Sequence, residues 1–144
     1  MKMNSGTSEL WDTIVADRKL VENALRIARR DLKSSARSLK EKDYDWSFAM
    51  SYNAMLQAGR ALMFSQGVRP KGDRKHAAVI EFVKARFGKE FAERLLFAFD
   101  KSRKTRHRVV YEEIGLISEA NAGVALSVAE EFVERAEQIA KAKA

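Results

Sequence analysis

The residues best suited to chemistry lie together in one short segment, Asp100–Tyr111. Five of its first nine residues are Lys or Arg, and His107 stands among them. On a helix, Arg103, His107 and Tyr111 follow one another at four-residue spacing, with Arg106 beside them. Guanidinium groups bind phosphate in a forked geometry, imidazole titrates near neutral pH, and a phenol can stack or hydrogen-bond. These residue types suit the binding of a nucleotide or an RNA strand.

The candidate binding residues of this segment are Arg103, Lys104, Arg106, His107, Arg108 and Tyr111. The alternative interpretation is a solvated helix face on which Asp100 pairs with Arg103 or Lys104. Such pairs contribute only about 0.2–0.5 kcal/mol each. His76 is a further candidate, either as an anion contact at a helix N-terminus or as a packing or capping residue. The basic residues of the first helix fit a solvated face or a stripe that follows phosphates.

The composition excludes several other chemistries. The chain has no Cys and two His, so thiolate sites and Cys nucleophiles are absent and a His-rich zinc site is not expected. No glycine-rich phosphate loop and no Gly-x-Ser-x-Gly elbow occurs. The carboxylate pair Glu112-Glu113 is adjacent in sequence, so on a helix its side chains diverge by about 100°. We therefore expect no metal and no cofactor.

The net charge of +7 is unevenly distributed. Residues 1–111 hold 24 basic and 13 acidic residues, whereas residues 112–144 hold three basic and seven acidic residues. A basic body favours an anionic partner, either nucleic acid, a nucleotide or an acidic protein surface. The longest mostly apolar stretch, Trp46–Phe64, is interrupted by polar residues, and no secretory signal is visible. We expect a cytoplasmic protein that does not contact a membrane.

One Pro, seven Gly and many helix-forming residues predict an all-α fold. We expect an up-and-down bundle of four long helices and one short helix, and no strand. The predicted elements are a helix from Ser8 to Lys40, a helix capped by Asp43 or Asp45 and ending near Gln66, a loop over Gly67–Asp73, a short helix closed by Gly88, a helix over Lys89–Tyr111 and a last helix capped by Ser118. Domain boundaries follow: residues 1–7 are expected to be disordered, 8–140 to form the bundle and 141–144 to fray.

Two segments resemble the HEPN family of small helical proteins. The first is Ala49–Pro70, which is similar to the family's second helix, rich in Tyr and Ala and ending in Gly-x-x-Pro. The second is Arg103–Tyr111, which resembles an arginine-rich penultimate helix ending in Arg-Asn-x-x-x-Tyr or Arg-Asn-x-x-x-His. With His76 and the final helix, the resemblance extends over residues 10 to 138.

The resemblance implies a four- to five-helix bundle, usually a homodimer whose arginine-rich helices line a shared cleft. Family members serve as metal-independent endoribonuclease toxins, as RNA- or nucleotide-binding modules, or as partners of minimal nucleotidyltransferases in toxin–antitoxin pairs. Catalytic members carry Arg-x4–6-His on the penultimate helix. Counted from Arg106, the expected His position is Tyr111, and His107 takes the place of the family's Asn.

This departure favours binding over cleavage. A Tyr with a pKa near 10 is a poor general base at neutral pH. We therefore predict a non-catalytic module that binds nucleotide or RNA phosphate. The alternatives are an interaction partner of a minimal nucleotidyltransferase and a weak ribonuclease that uses His107 with Arg103 or Arg106.

Overall fold

The computed structural model describes residues 10–143, and the expected disordered segment 1–7 lies outside them. Within these residues the fold consists of five helices and a small two-stranded sheet, which confirms the all-α class. The elements in chain order are β1 (Trp11–Thr13), α1 (Arg18–Lys40), α2 (Tyr44–Ser65), β2 (Val68–Pro70), α3 (Lys75–Phe87), α4 (Glu93–Tyr111) and α5 (Glu119–Lys143).

The start of the first helix and the absence of strands were predicted wrongly. Residues 10–17 are not helical, and α1 begins at Arg18. The Asp17 carboxylate accepts a hydrogen bond from the Lys19 amide at 2.9 Å, which caps the first turn. Before it, β1 pairs antiparallel with β2, with Trp11 opposite Pro70. Strands of three residues are too short to show the alternation that identifies a strand in a sequence.

Helix α2 is the centre of the bundle and contacts each of the other four helices. Fourteen of its 22 residues are buried, including a run of alanines that lets neighbouring helices approach closely. Where α1 packs on α2, the hydroxyl of Ser35 of α1 lies 2.7 Å from that of Ser51 of α2. The Ser35 hydroxyl also donates to the Ser47 carbonyl at 2.8 Å. As predicted, the Asp43 carboxylate caps α2, and Gly67 follows the helix with a φ of +73°.

Helix α4 begins four residues later than predicted. Gly88 has a helical φ of −58°, and a turn closed by the Glu90 amide and the Phe87 carbonyl follows it. The chain then becomes extended at Ala92, and α4 starts at Glu93. Phe91 lies outside the helix but is buried, because its ring stacks on Phe132 of α5 at a centroid distance of 4.7 Å.

The connection from α4 to α5 is tied to the start of α2. The two Asp45 carboxylate oxygens accept hydrogen bonds from the Gly115 amide at 2.6 Å and the Ile117 amide at 3.0 Å. The Ser118 hydroxyl accepts from the Asn121 amide at 3.1 Å, which confirms the predicted cap of α5. Val124 of α5 lies outside the core, since 62% of it is exposed.

Candidate functional site

Helix α4 presents Arg103 and Arg106 on the face that also enters the core. Leu95 and Phe99 are buried, and the Phe99 ring packs against Tyr52 of α2 and Phe132 of α5. Because residues four and seven positions apart share a helix face, Arg103 and Arg106 continue the face that begins with these apolar residues. Both arginines are half-buried as a result.

A tyrosine and a histidine from two other helices join this face. Tyr52 of α2 is fully buried, and its hydroxyl lies 3.1 Å from Nδ1 of His76, the second residue of α3. The buried residues Val79, Ile80 and Val83 anchor α3 in the core, which sets the position of His76. When the Tyr52 hydroxyl donates to Nδ1, the His76 ring carries its proton on Nε2 and can donate from there.

The site has an excess of positive charge. The Nε atoms of Arg103 and Arg106 are buried, and neither finds a hydrogen-bond partner within residues 10–143. Burial lowers the pKa of His76, and the charges of Arg106 and Arg103 lower it further. Burial raises the pKa of Tyr52, an effect that the same two arginines oppose. At neutral pH the site therefore contains a neutral imidazole, a neutral phenol and two guanidinium charges.

A cavity of about 900 Å³, which we call the Arg103 cavity, opens over these groups. All six candidate residues of α4 line it, together with residues 72–77 of the loop before α3 and its first turn. Six basic side chains and one acidic side chain face this space. Guanidinium and ammonium groups donate hydrogen bonds to phosphate oxygens, so the lining suits an anion.

The candidate residues are not equivalent within the Arg103 cavity. His107 and Tyr111 lie at its exposed end, with ring centroids 5.1 Å apart, and His107 Nε2 lies 3.5 Å from a carboxylate oxygen of Glu112. The Arg108 guanidinium is paired with Glu113. Lys104 is exposed. The half-buried end is formed by Arg103 and Arg106 with His76.

Asp100 does not make the pairs that the solvated-face interpretation assigned to it. Its carboxylate binds Lys84 of α3 at 3.0 Å instead of Arg103 or Lys104. This contact joins two helices and raises the pKa of Lys84. The Asp100 carboxylate therefore links α4 to α3. It does not form an ion pair with Arg103.

Sequence reasoning missed Tyr52 as a site residue and left the role of His76 open. Twenty-four residues separate the two, and no local spacing connects them. The sequence did contain a signal for Tyr52, which lies within a helix that is apolar on several faces. A tyrosine buried in such a helix usually finds a hydrogen-bond partner.

The described residues contain neither a cluster of metal-ligating side chains nor a membrane-spanning helix. Across residues 10–143, no three His, Cys, Asp or Glu side chains are grouped so that they could hold a metal ion. Within the same residues, no helix combines the length and apolar character needed to cross a membrane.

Comparison with known proteins identifies the family. No curated protein matches the chain. A family model described as the HEPN domain matches residues 21–139, a range that runs from the first turn of α1 nearly to the end of α5 and contains the whole of α4. Because the match covers most of the chain, this protein belongs to the HEPN domain family.

Proposed function

We propose that this chain binds nucleotide or RNA phosphate through Arg103 and Arg106 without cleaving it. Membership of the HEPN family supports a nucleotide- or RNA-related module in general. The observation that carries the proposal is the pair of half-buried guanidiniums whose Nε atoms find no partner within residues 10–143. A phosphate in the Arg103 cavity would offset the excess positive charge of these two guanidiniums.

The other groups of the cavity have complementary roles in this proposal. His76 stays neutral near pH 7 and donates from Nε2, while Tyr52 fixes the orientation of its ring. The exposed rings of His107 and Tyr111 offer stacking surfaces for a base. Lys104 lines the same cavity, and its charge adds to the positive field that attracts the anion.

The arrangement of the imidazoles favours binding over cleavage. Metal-independent cleavage of RNA needs a base that removes the 2′-OH proton and a donor that stabilises the developing phosphorane charge. Tyr111 occupies the position at which catalytic family members carry histidine, and a phenol is a poorer general base than an imidazole. His107 contacts Glu112 at the exposed end, and the half-buried guanidiniums lie at the other end.

A binding experiment tests the proposal. Fluorescence anisotropy of a labelled ten-nucleotide single-stranded RNA should show saturable binding whose affinity falls steeply with salt, because phosphate contacts release counterions. Arg106→Gln should weaken binding by about tenfold, since it removes a charge-assisted hydrogen bond. The matched control is Arg26→Gln on α1, an exposed residue outside the Arg103 cavity. Equal reductions in both variants, or no binding at low salt, would contradict the proposal.

The RNA recovered from the same mixtures tests for cleavage. Gel analysis should show intact RNA with the wild type and with His107→Ala. Cleavage that disappears in His107→Ala would establish the ribonuclease alternative in place of simple binding. The homodimer and the nucleotidyltransferase partner stay predictions, and light scattering of the purified chain measures the first directly.

A further inference from the structure

A second cavity, of about 1040 Å³, lies on the other side of His76. We call it the Arg60 cavity. Its walls come from α2, the start of α3, the β2 strand and the segment that leads into α1. Four basic and two acidic side chains face it, above apolar residues that include Leu56, Phe64 and Val79.

The two cavities adjoin. Gly72, Lys75 and His76 line both of them, so the two cavities are neighbours along the loop before α3. Each cavity is already at the upper end of the 300–1,000 Å³ or so that is typical for a drug-sized ligand. A mononucleotide held at Arg103 and Arg106 would leave the Arg60 cavity unused.

Arg60 gives the second cavity an unbalanced charge. Its guanidinium donates to Oε1 of Gln57 at 3.2 Å and lies 5.4 Å from the centroid of the Phe64 ring. Among residues 10–143 it forms no ion pair, and burial lowers its pKa. The two acidic residues of the cavity are engaged elsewhere, because Asp12 pairs with Lys71 at 3.3 Å and Asp17 caps α1.

A cation beside an aromatic ring and an apolar wall is suited to a nucleotide. The guanidinium can bind a phosphate, and the apolar wall can receive a base or a sugar face. The Arg103 cavity combines guanidiniums with the exposed rings of His107 and Tyr111. Cations and rings on both sides of His76 are what a site for successive nucleotides of a strand requires: a positively charged groove with surfaces for stacking.

We propose that the Arg103 and Arg60 cavities form one track for single-stranded RNA of at least two nucleotides, with one phosphate at Arg103 and Arg106 and a neighbouring phosphate at Arg60. This inference rests on the proposed function, because it takes phosphate binding at Arg103 and Arg106 as given. It adds a second subsite and names a strand, not a mononucleotide, as the ligand.

The experiment compares two probes, the labelled ten-nucleotide RNA and AMP, on three variants. Arg60→Gln should lower RNA affinity by about tenfold and leave AMP affinity within about twofold of the wild type. Arg106→Gln should lower both affinities. In the salt titration, Arg60→Gln should reduce the slope of log affinity by about 0.7 for each phosphate that the variant no longer neutralises. Arg26→Gln should change neither probe.

The outcomes separate the two proposals. Wild-type RNA affinity and an unchanged salt slope in Arg60→Gln would overturn the track and leave the Arg103 site intact. Equal reductions for AMP and RNA in Arg60→Gln would also overturn it, because Arg60 would then belong to the same subsite. No effect of Arg106→Gln on either probe would refute the proposed function itself. Where AMP binds too weakly to measure, the RNA affinity and its salt slope decide.

A second variant guards against a folding defect. Arg60 is half-buried, so thermal melting must first show that Arg60→Gln folds. Arg69→Gln changes an exposed residue of β2 that lines the same cavity. It should lower RNA affinity by about threefold with no change for AMP, because an exposed charge is screened more strongly by solvent. Wild-type RNA affinity in a folded Arg69→Gln would count against the track in the same way.

Discussion

Replacement of Arg106 by methionine should stabilise the protein without ligand and at the same time weaken its binding of RNA by about tenfold. The guanidinium of Arg106 is held beside that of Arg103, three residues earlier on α4, and both act on His76 and Tyr52. Its Nε is buried and finds no partner among residues 10–143. Methionine keeps the aliphatic stem that packs against the bundle, and its helix propensity nearly equals that of arginine.

The expected gain is about 1 kcal/mol. An unpaired buried donor costs about 1–3 kcal/mol, and Arg106 contributes one such N–H group. The low end of that range applies because Arg106 as a whole is only half-buried, so its other nitrogens reach solvent. Relief of repulsion from Arg103 acts in the same direction and weakens as salt is added. A gain of about 1 kcal/mol multiplies the ratio of folded to unfolded protein about fivefold.

Urea unfolding followed by circular dichroism measures this quantity, with Arg26→Met as the matched control. Arg26 is exposed, so its replacement should change the free energy of unfolding by less than about 0.5 kcal/mol. Destabilisation of Arg106→Met by more than 0.5 kcal/mol or so relative to the control would refute the reasoning. It would mean that the guanidinium stabilises the protein without ligand, and the main support for phosphate binding would then be removed.

Three further predictions concern stability and substitutions at Tyr52, His76 and Gly59. Tyr52→Phe should lower the free energy of unfolding by about 1 kcal/mol, because it removes the hydrogen bond to His76 and keeps the ring. An unchanged midpoint of urea unfolding would argue against that hydrogen bond. The pKa of His76 is held below its ordinary 6.5, so the unfolded chain binds more protons just below that pH. The stability contributed by neutral His76 is present above pH 6.5 and is lost as the pH falls. Between pH 7.5 and pH 5.5, the free energy of unfolding should therefore decrease more in the wild type than in His76→Gln. Equal decreases in the two proteins would contradict this prediction. Gly59→Ala should destabilise the protein by about 1–2 kcal/mol, because a Cβ there would lie 2.5 Å from Cγ1 of Val79. Its control is Gly123→Ala, which meets nothing within 4 Å and should gain up to about 1 kcal/mol in an unfolding titration.

The helices were predictable where apolar spacing continues over several turns. Helix α2 ends within one residue of its predicted position, and the caps at Asp43 and Ser118 are where the residue types indicated. The start of α1 was not predictable in the same way, because Trp11 and Ile14 continue its apolar spacing backwards. They do pack on the core, but from an extended segment whose pairing with β2 depends on residues far along the chain.

The candidate site was predictable along α4 and not across helices. The four-residue spacing correctly brings His107 close to Tyr111. The spacing alone did not show that His107 and Tyr111 are exposed whereas Arg103 is half-buried. Counting four residues on from the apolar Phe99 leads to Arg103, and this would have placed Arg103 on the face that enters the core. Tyr52 and His76 meet only through the packing of α2 against α3, which no local pattern encodes.

The ion pairs of helix α4 support the proposed binding site over the interpretation as a solvated face. On a solvated face, basic side chains pair with carboxylates that lie within reach, and three charged residues of α4 do pair: Arg94 with Glu131, Arg108 with Glu113, and Asp100 with Lys84. Arg103 and Arg106 are more buried than the partnered Arg108, yet within residues 10–143 they have no carboxylate. Burial makes an unpaired charge more costly, so the interpretation as a solvated face predicts the opposite arrangement. The anionic ligand that we propose would account for it.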